Sequence, residues 1–165
     1  MSRVPLLAVL LAATLAVAGC GHRAAAEPAD PLPDARVVLD AMAASGLPLT
    51  HLATTTADTD PNAVLGTAGA YVSRAAADVP QGDPNAVAQC VQRGLVIEVW
   101  ATDHEVTDRV ASLDMALMLG ELPVEHHFRP DDKRILVRLT GKVPDSEAER
   151  YDEVVANLDG GPSRA

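Results

Sequence analysis

Aromatic residues are scarce in this chain. They make up 2% of its 165 residues, as one Trp, two Tyr and one Phe. A hydrophobic core must therefore be built from Val, Leu, Ile and Met, and we expect no more than ordinary stability. The length is enough for one modest domain.

Basic residues are also in short supply, because 13 Lys and Arg face 23 Asp and Glu, a formal net charge of −10. Nucleic-acid binding needs a basic surface, so this composition argues against nucleic acid as a partner. The same deficit argues against adhesion to anionic lipid through surface charge.

Cysteine occurs only twice, and the first occurrence closes the sequence VAGC at 17–20. Arg3 and an apolar run over residues 4–18 precede it. A positive start, a short apolar stretch and small residues before a cysteine are typical of a bacterial lipoprotein signal. The run is shorter than the roughly 20 apolar residues of a membrane span. We predict cleavage between Gly19 and Cys20 and lipid attachment to Cys20.

This signal predicts the organisation of the chain. Residues 1–19 are the signal peptide, and 20–33 are the lipidated cysteine and an Ala- and Pro-rich tether. A single domain follows at 34–161, and 162–165 form a frayed tail. We expect the protein on the extracytoplasmic side of the cell membrane, held there by the lipid on Cys20.

The second cysteine, Cys90, is the only thiol left once Cys20 is acylated, so no internal disulfide can form. It stands beside Val87 and Val91 at helical spacing, which predicts a small buried group. An intermolecular disulfide or a reactive thiol is the alternative.

Hydrophobic periodicity within the domain predicts helices and strands in the order α-β-β-α-β-α-β-β-α. Thr102 and Glu105 are spaced as a capping box, which marks the start of the third helix. The predicted helices are 34–46, 83–94, 102 through at least 117, and about 145–158; the predicted strands are 49–56, 71–79, 95–101, 124–129 and 134–140.

Hairpins outnumber parallel crossovers in this order. We therefore predict an α+β domain with an antiparallel or mixed sheet of about five strands and helices packed on one face. One shared core is expected to include most of Leu95, Ile97, Val99, Val110, Leu113, Leu117, Ile135, Val137 and Leu139.

Asp58, Asp60 and Asn62 stand at alternate positions, as at the start of a calcium-binding loop. That loop type needs Gly at its sixth position and Glu at its twelfth, where this chain has Ala63 and Gly69. We favour instead a turn in which Asp60 caps a short helix. The sequence Asp-Pro-Asn-Ala-Val of 60–64 recurs at 83–87 with unmatched flanks, which indicates the same helix start used twice rather than a structural repeat.

Histidines offer two weak metal patterns. His104 and Glu105 match the start of the zinc-protease helix, but Asp108 stands where that motif has its second histidine. His126 and His127 are neighbours on a predicted strand and so point to opposite faces, one towards the helices and one towards water. We predict no catalytic residue, no metal ligand and no cofactor.

Two charged surfaces are predicted, one acidic and one basic. We interpret both as solvated faces, and the alternative is a dipolar surface that orients a partner. The acidic residues are Asp145, Glu147, Glu149, Asp152 and Glu153 on the last helix; the basic ones are Arg129, Lys133, Arg134, Arg138 and Lys142 on the preceding hairpin.

Several short motifs resemble small exported lipoproteins of high-GC Gram-positive bacteria, a group of unknown function. They are VAGC at 17–20, GLP at 46–48, DTDPN at 58–62, LG at 65–66, Gly69, YVSR at 71–74, Gly94, IEV at 97–99 and VR at 137–138. Thr67-Ala68 and Trp100 depart from that pattern. The resemblance implies export, lipid anchoring and one folded domain, and it implies no chemistry.

We therefore expect a membrane-anchored, non-catalytic binding or interaction module, with an envelope or extracellular protein as its partner. One alternative is a small hydrolase or metal-dependent enzyme that uses His104, His127 or the carboxylates of Asp58 and Asp60. Another is an inhibitor or exclusion-type lipoprotein that presents a sheet face to a foreign protein.

Overall fold

A computed structural model describes residues 31–132 and 134–158. The predicted signal peptide, Cys20, the tether up to residue 30 and the tail at 162–165 lie outside the described residues. The elements are α1 (Ala35–Ala44), β1 (Thr50–Thr54), β2 (Ser73–Asp78), β3 (Gly94–Val99), α2 (Asp103–Met118), β4 (Glu125–Phe128), β5 (Ile135–Thr140) and α3 (Asp145–Ala156).

Side chains at the helix starts explain where α1 and α2 begin. Asp34 accepts a hydrogen bond from the backbone N–H of Arg36 at 2.7 Å. Thr102 accepts from the N–H of Glu105 at 3.2 Å, and the Glu105 carboxylate accepts from the N–H of Thr102 at 3.0 Å. This reciprocal arrangement confirms the predicted capping box and satisfies two otherwise unpaired N–H groups.

The five strands form one antiparallel sheet in the order β1-β2-β3-β5-β4. The α+β class and the sheet of five strands are confirmed. In the central register, Arg74 of β2 lies opposite Glu98 of β3, and Val96 of β3 lies opposite Arg138 of β5. Charged side chains therefore stand in the middle of the sheet.

One face of the sheet forms the main core together with α1 and α3. Six of the nine residues predicted for one shared core are found there: Leu95, Ile97, Val99, Ile135, Val137 and Leu139. Residues of α1, such as Leu39 and Met42, and of α3, such as Tyr151 and Val155, complete this core.

The remaining helix, α2, packs on the opposite face, so the prediction that the helices share one face holds only for α1 and α3. Its Leu113 packs with Leu136, Trp100 and Tyr71 in a second apolar cluster, and Val110 lies against that cluster. Leu117 is half-buried and belongs to neither. The reason is that β5 is apolar on both faces, because Leu136 alternates with Ile135 and Val137.

The helix predicted over 83–94 is wrong. Residues 84–90 form successive turns, followed by one 3₁₀ turn at Val91–Arg93. Asp83 accepts a hydrogen bond from the N–H of Asn85 at 3.0 Å, which holds a turn rather than a helix start. Gln89, at a φ of +60°, is in the left-handed region and interrupts any helix there.

The two Asp-Pro-Asn-Ala-Val segments share one local structure, as we predicted, but that structure is not the predicted helix start. In each, the Asp side chain accepts from the Asn N–H, the Asp carbonyl accepts from the Ala N–H, and the Val carbonyl accepts from the N–H three residues on. The left-handed residue of the second turn also corresponds, as Gly66 and Gln89. Both segments form a double turn, and neither continues as an α-helix.

Candidate functional site

The sheet face that packs against α2 carries a buried cluster of charged side chains. Arg138 donates from Nε and Nη2 to the two carboxylate oxygens of Glu125, both at 2.8 Å. Its Nη1 donates to Glu98 Oε1, also at 2.8 Å. The side chains of Arg138 and Glu98 are 8% and 0% exposed, so this network lies in the interior of the protein.

The strength of these contacts is reflected in the ionisation of Glu125. Burial raises the pKa of this carboxyl, but hydrogen bonds from His127 and Arg138 outweigh burial and hold its pKa below the usual value. Glu125 is therefore a stable anion, and it neutralises part of the charge of Arg138.

Arg109 brings a second guanidinium from α2 to the same cluster. Its Nε lies 3.4 Å from Glu98 Oε2. Among the described residues, neither of these two atoms has a hydrogen-bond partner, although both are shielded from solvent. The pair is an ion pair without a formed hydrogen bond.

Arg74 contributes a third guanidinium and is 2% exposed. It donates from Nη1 to Thr55 Oγ1 at 3.0 Å and from Nη2 to the carbonyl of Gln89 at 2.6 Å, and its guanidinium lies 5.8 Å from the centre of the Tyr71 ring. Within the described part of the chain, its Nε has no partner. Burial lowers the pKa of Arg74, and the nearby negative charges of Glu98 and Asp60 offset this only in part.

The loop that covers this side of the sheet is organised by Asp60. Its carboxylate accepts from the backbone N–H groups of Asn62, Val64 and Leu65 at 3.1, 2.8 and 2.9 Å. It also accepts from the Tyr71 hydroxyl at 2.5 Å. Asp60 thus caps backbone N–H groups as we predicted, although the residues it caps form turns.

The pKa values of both ionisable groups of this contact, Asp60 and Tyr71, are shifted. Burial raises the pKa of Asp60, but the hydrogen bonds from Tyr71 and the backbone outweigh it and the net shift is downwards. Burial and the Asp60 contact raise the pKa of Tyr71 to about 12. The pair therefore stays as carboxylate and neutral phenol over the whole physiological range.

The larger of two neighbouring cavities lies between this loop and α2. It has a volume of about 570 Å³, and Tyr71, Trp100, Asp108 and Arg109 are in its lining. The Trp100 ring meets the Tyr71 ring edge-on, with centres 5.8 Å apart. Trp100 is 5% exposed, and its indole Nε1 has no hydrogen-bond acceptor among the described residues.

The smaller cavity has a volume of about 280 Å³ and is lined by all three guanidiniums, Arg74, Arg109 and Arg138, and by Glu125 and Cys90. Asn62 and Arg109 line both cavities. We refer to the two as the tryptophan cavity and the arginine cavity.

The residues named for an enzyme lie elsewhere. His104 is exposed and lies 3.6 Å from Asp108, and Asp58 is exposed in the loop. His104, His127, Asp58 and Asp60 are all absent from the linings of both cavities. In residues 31–132 and 134–158, no group of three or more His, Cys, Asp or Glu side chains is arranged to hold a metal ion.

The two adjacent histidines do point to opposite faces, as predicted, but neither faces water. His126 contacts the carbonyl of Val143 at 2.9 Å and stacks on Phe128, whereas the His127 ring lies 3.3 Å from Glu125. Both are half-buried because helices cover both faces of the sheet.

Two further predictions need correction. Cys90 is half-buried in a turn, where it lines the arginine cavity, and is not on a buried helix face. The prediction of a solvated basic face is wrong for Arg138, which is buried with Glu98 and Glu125. The other described basic residues of that hairpin, Arg129, Arg134 and Lys142, do form surface ion pairs, and the five acidic residues of α3 are exposed.

Sequence reasoning missed Arg74, Glu98, Arg109 and Glu125 as site residues. A signal was present, because Glu98 interrupts the apolar run of β3 and Arg138 that of β5. A single charge inside a strand that is otherwise apolar is rare unless it is paired with an opposite charge. The two opposite charges on neighbouring strands predict such a pair.

Within the described ranges, no helix has the length and apolar character needed to cross a membrane. Comparison of the chain with models of protein families, with curated proteins and with solved structures finds no match.

Proposed function

We propose that this protein is a lipid-anchored protein of the cell envelope whose domain is a non-catalytic module that binds a small ligand in the tryptophan cavity. The observation that carries the proposal is Trp100, a buried aromatic side chain beside a cavity of about 570 Å³, whose N–H donor finds no acceptor in the part of the chain that the structure describes. A ligand acceptor would satisfy that donor.

The character of the cavity supports a small organic ligand. Its volume falls within the roughly 300–1,000 Å³ of small-molecule sites, which combine apolar walls with a few polar groups. Tyr71 and Trp100 supply flat apolar surface, and Arg109 and Asp108 supply charge. Tyr71 is held by Asp60 and Asn62, so the wall is preorganised.

The anchor is supported by the sequence alone. The VAGC motif after a short apolar run predicts acylation of Cys20, and stable anchoring then requires two or more acyl chains. The acidic composition offers no other means of holding the domain at a membrane of anionic lipid.

The ligand proposal is tested by native mass spectrometry of the full chain, extracted in detergent from the membranes of the producing bacterium. We expect a non-covalent adduct of small-molecule mass. Ser112→Phe places a large side chain into the cavity lining from the exposed side of α2, and should abolish the adduct. Ser146→Phe, on the exposed side of α3, is the matched control. A wild-type chain without adduct, or an adduct that survives Ser112→Phe, contradicts the proposal.

One observation favours a protein partner instead, which is the exclusion-type alternative. Met115, Met118 and Leu119 at the end of α2 are exposed, Met118 by 84%. Exposed methionines are typical of adaptable protein-binding surfaces. Under this alternative, a photo-crosslinking residue at position 118 traps a protein in intact envelopes, whereas the same residue at position 149 of α3 does not.

A further inference from the structure

The arginine cavity has a surplus of hydrogen-bond donors and of positive charge. Three guanidiniums line it, and the two buried carboxylates of the cluster, Glu98 and Glu125, are engaged by Arg138 and Arg109. Arg74 is left with a hydroxyl and a carbonyl as its acceptors. A buried guanidinium without a carboxylate partner is costly, so a further anion would stabilise this arrangement.

Asp60, another carboxylate whose charge acts on Arg74, does not fill that place. Asp60 accepts four hydrogen bonds within its own loop, from three backbone N–H groups and from Tyr71. Among residues 31–132 and 134–158, Arg74 Nε thus has no acceptor, although the side chain is 2% exposed and lines the cavity. Guanidinium groups bind planar and tetrahedral oxyanions strongly because they offer several N–H donors at fixed angles.

We propose that the arginine cavity binds an oxyanion, a carboxylate or a phosphate, carried by the ligand of the tryptophan cavity. The link between the two rests on the proposed function and on Asn62 and Arg109, which line both cavities. The ligand is then an organic anion whose apolar part lies against Trp100 and whose charged end lies among Arg74, Arg109 and Arg138.

Cys90 makes this proposal measurable, because it lines the arginine cavity and is the only cysteine besides Cys20. The full chain from membranes is dialysed in detergent until native mass spectrometry shows no bound ligand. It is then treated with iodoacetate, which is an anion, or with iodoacetamide, which is neutral and of similar size. Peptide mapping then reports the alkylation of Cys90 alone. The ratio of the two rates is compared with that of a peptide of residues 83–93, which carries the same thiol without the cavity.

A cavity that attracts anions should raise the iodoacetate to iodoacetamide ratio by about tenfold over the peptide. Inorganic phosphate or acetate should slow both reagents at Cys90, whereas chloride at equal ionic strength should not. Protection by acetate alone identifies a carboxylate site, and stronger protection by phosphate identifies a phosphate site. A ratio equal to that of the peptide, or no protection by either anion, overturns the proposal.

Variants separate the anion site from general effects. Arg74→Met should abolish the preference for iodoacetate; if that variant does not fold, Arg109→Gln, at a partly exposed position of α2, should lower it. Arg150→Gln on α3 is the control and should change nothing, because Arg150 is exposed and binds the carbonyl of Gly46. Anion protection without a ligand adduct supports the oxyanion site but contradicts the proposed function and the link between the two cavities, whereas an adduct with unprotected Cys90 contradicts the oxyanion site alone.

Discussion

Arg138 Nη1 on β5 lies 2.8 Å from Glu98 Oε1 on the neighbouring central strand β3, and the glutamate side chain is completely buried. The two residues are diagonal neighbours, because Glu98 pairs in register with Leu136 and Arg138 with Val96. With the bidentate contact to Glu125, every donor group of Arg138 has a carboxylate acceptor. Removal of one partner would leave a charge in the interior without its counter-charge.

Glu98→Gln should therefore destabilise the domain by about 3 kcal/mol, because Arg138 and Arg109 both lose an anionic partner. Urea unfolding followed by the emission of Trp100 measures this loss. Glu149→Gln, an exposed glutamate of α3, is the control and should change the free energy of unfolding by less than about 0.5 kcal/mol. Equal midpoints for the two variants would show that the buried network contributes little.

Asp60→Ala should cost about 2 kcal/mol, because three backbone N–H groups and the Tyr71 hydroxyl lose their acceptor. Asp83→Ala is the matched control in the second copy of the double turn, where the carboxylate accepts one backbone N–H and contacts Lys142. Asp83→Ala should therefore lower the free energy of unfolding by less than Asp60→Ala does. Calcium should leave both melting temperatures unchanged, and a calcium-dependent rise that Asp58→Asn abolishes would instead establish a cation site.

The alkaline stability of the domain should depend on Tyr71. Its pKa is raised from 10.0 to about 12 in the folded protein, so the unfolded chain loses this proton first. The stability linked to the neutral phenol is complete below pH 10 and is lost as the pH rises towards 12. Tyr71→Phe should be less stable at neutral pH and should lose less stability on this alkaline limb. The control is Tyr151→Phe, at the other tyrosine, which should keep the steep loss of stability at alkaline pH. A steep loss in Tyr71→Phe and a shallow one in Tyr151→Phe would show that Tyr71 is not its source.

At low pH the stability of the domain changes with pH in the opposite direction, because it is lost as the pH falls. The pKa values of Asp60 and Glu125 are both lowered in the folded state, so their contribution is complete above the pKa values of the unfolded chain. It is lost as the pH falls through the lowered values. Asp60→Asn should flatten this acid limb in urea titrations at stepwise lower pH. A limb as steep as that of the wild type would exclude Asp60 as a source of acid sensitivity.

Each face of the sheet should respond to truncation of its own core. Ile97→Ala removes a side chain of the core shared with α1 and α3, and Leu113→Ala one of the cluster under α2. Both side chains are almost fully buried, so each variant should lose about 2–5 kcal/mol in urea unfolding. Their effects should add in the double variant because they lie in different clusters. An unchanged midpoint for either single variant would show that its face is not a packed core.

The strands were predictable because their apolar residues recur with the period of a strand, and α2 because its capping box is local. The sheet face against which α2 packs could not be predicted, because Val96 and Leu136 look like core residues on either face. The prediction of a helix at 83–94 was wrong because Asp83 and Pro84 begin a turn as readily as a helix. In addition, Gln89 adopts a left-handed backbone conformation that no feature of the sequence indicates.

The candidate site depends on contacts between residues far apart in the chain. Arg74, Arg109 and Arg138 come from β2, α2 and β5, and their meeting point follows from strand order and from the face that α2 covers. Local periodicity in the sequence predicts neither the strand order nor the sheet face that α2 covers. Only the Glu98 and Arg138 pair could be predicted, because each charge interrupts an apolar strand.

The lipid anchor on Cys20 is the feature on which the proposed location in the cell envelope depends most. The direct measurement is fractionation of cells that produce Cys20→Ala or, as the matched control, Cys90→Ala. We predict that Cys90→Ala stays in the membrane fraction and that Cys20→Ala leaves it as a folded, exported chain with buried Trp100 emission. Cys20→Ala that remains with the membrane after signal cleavage would contradict the account.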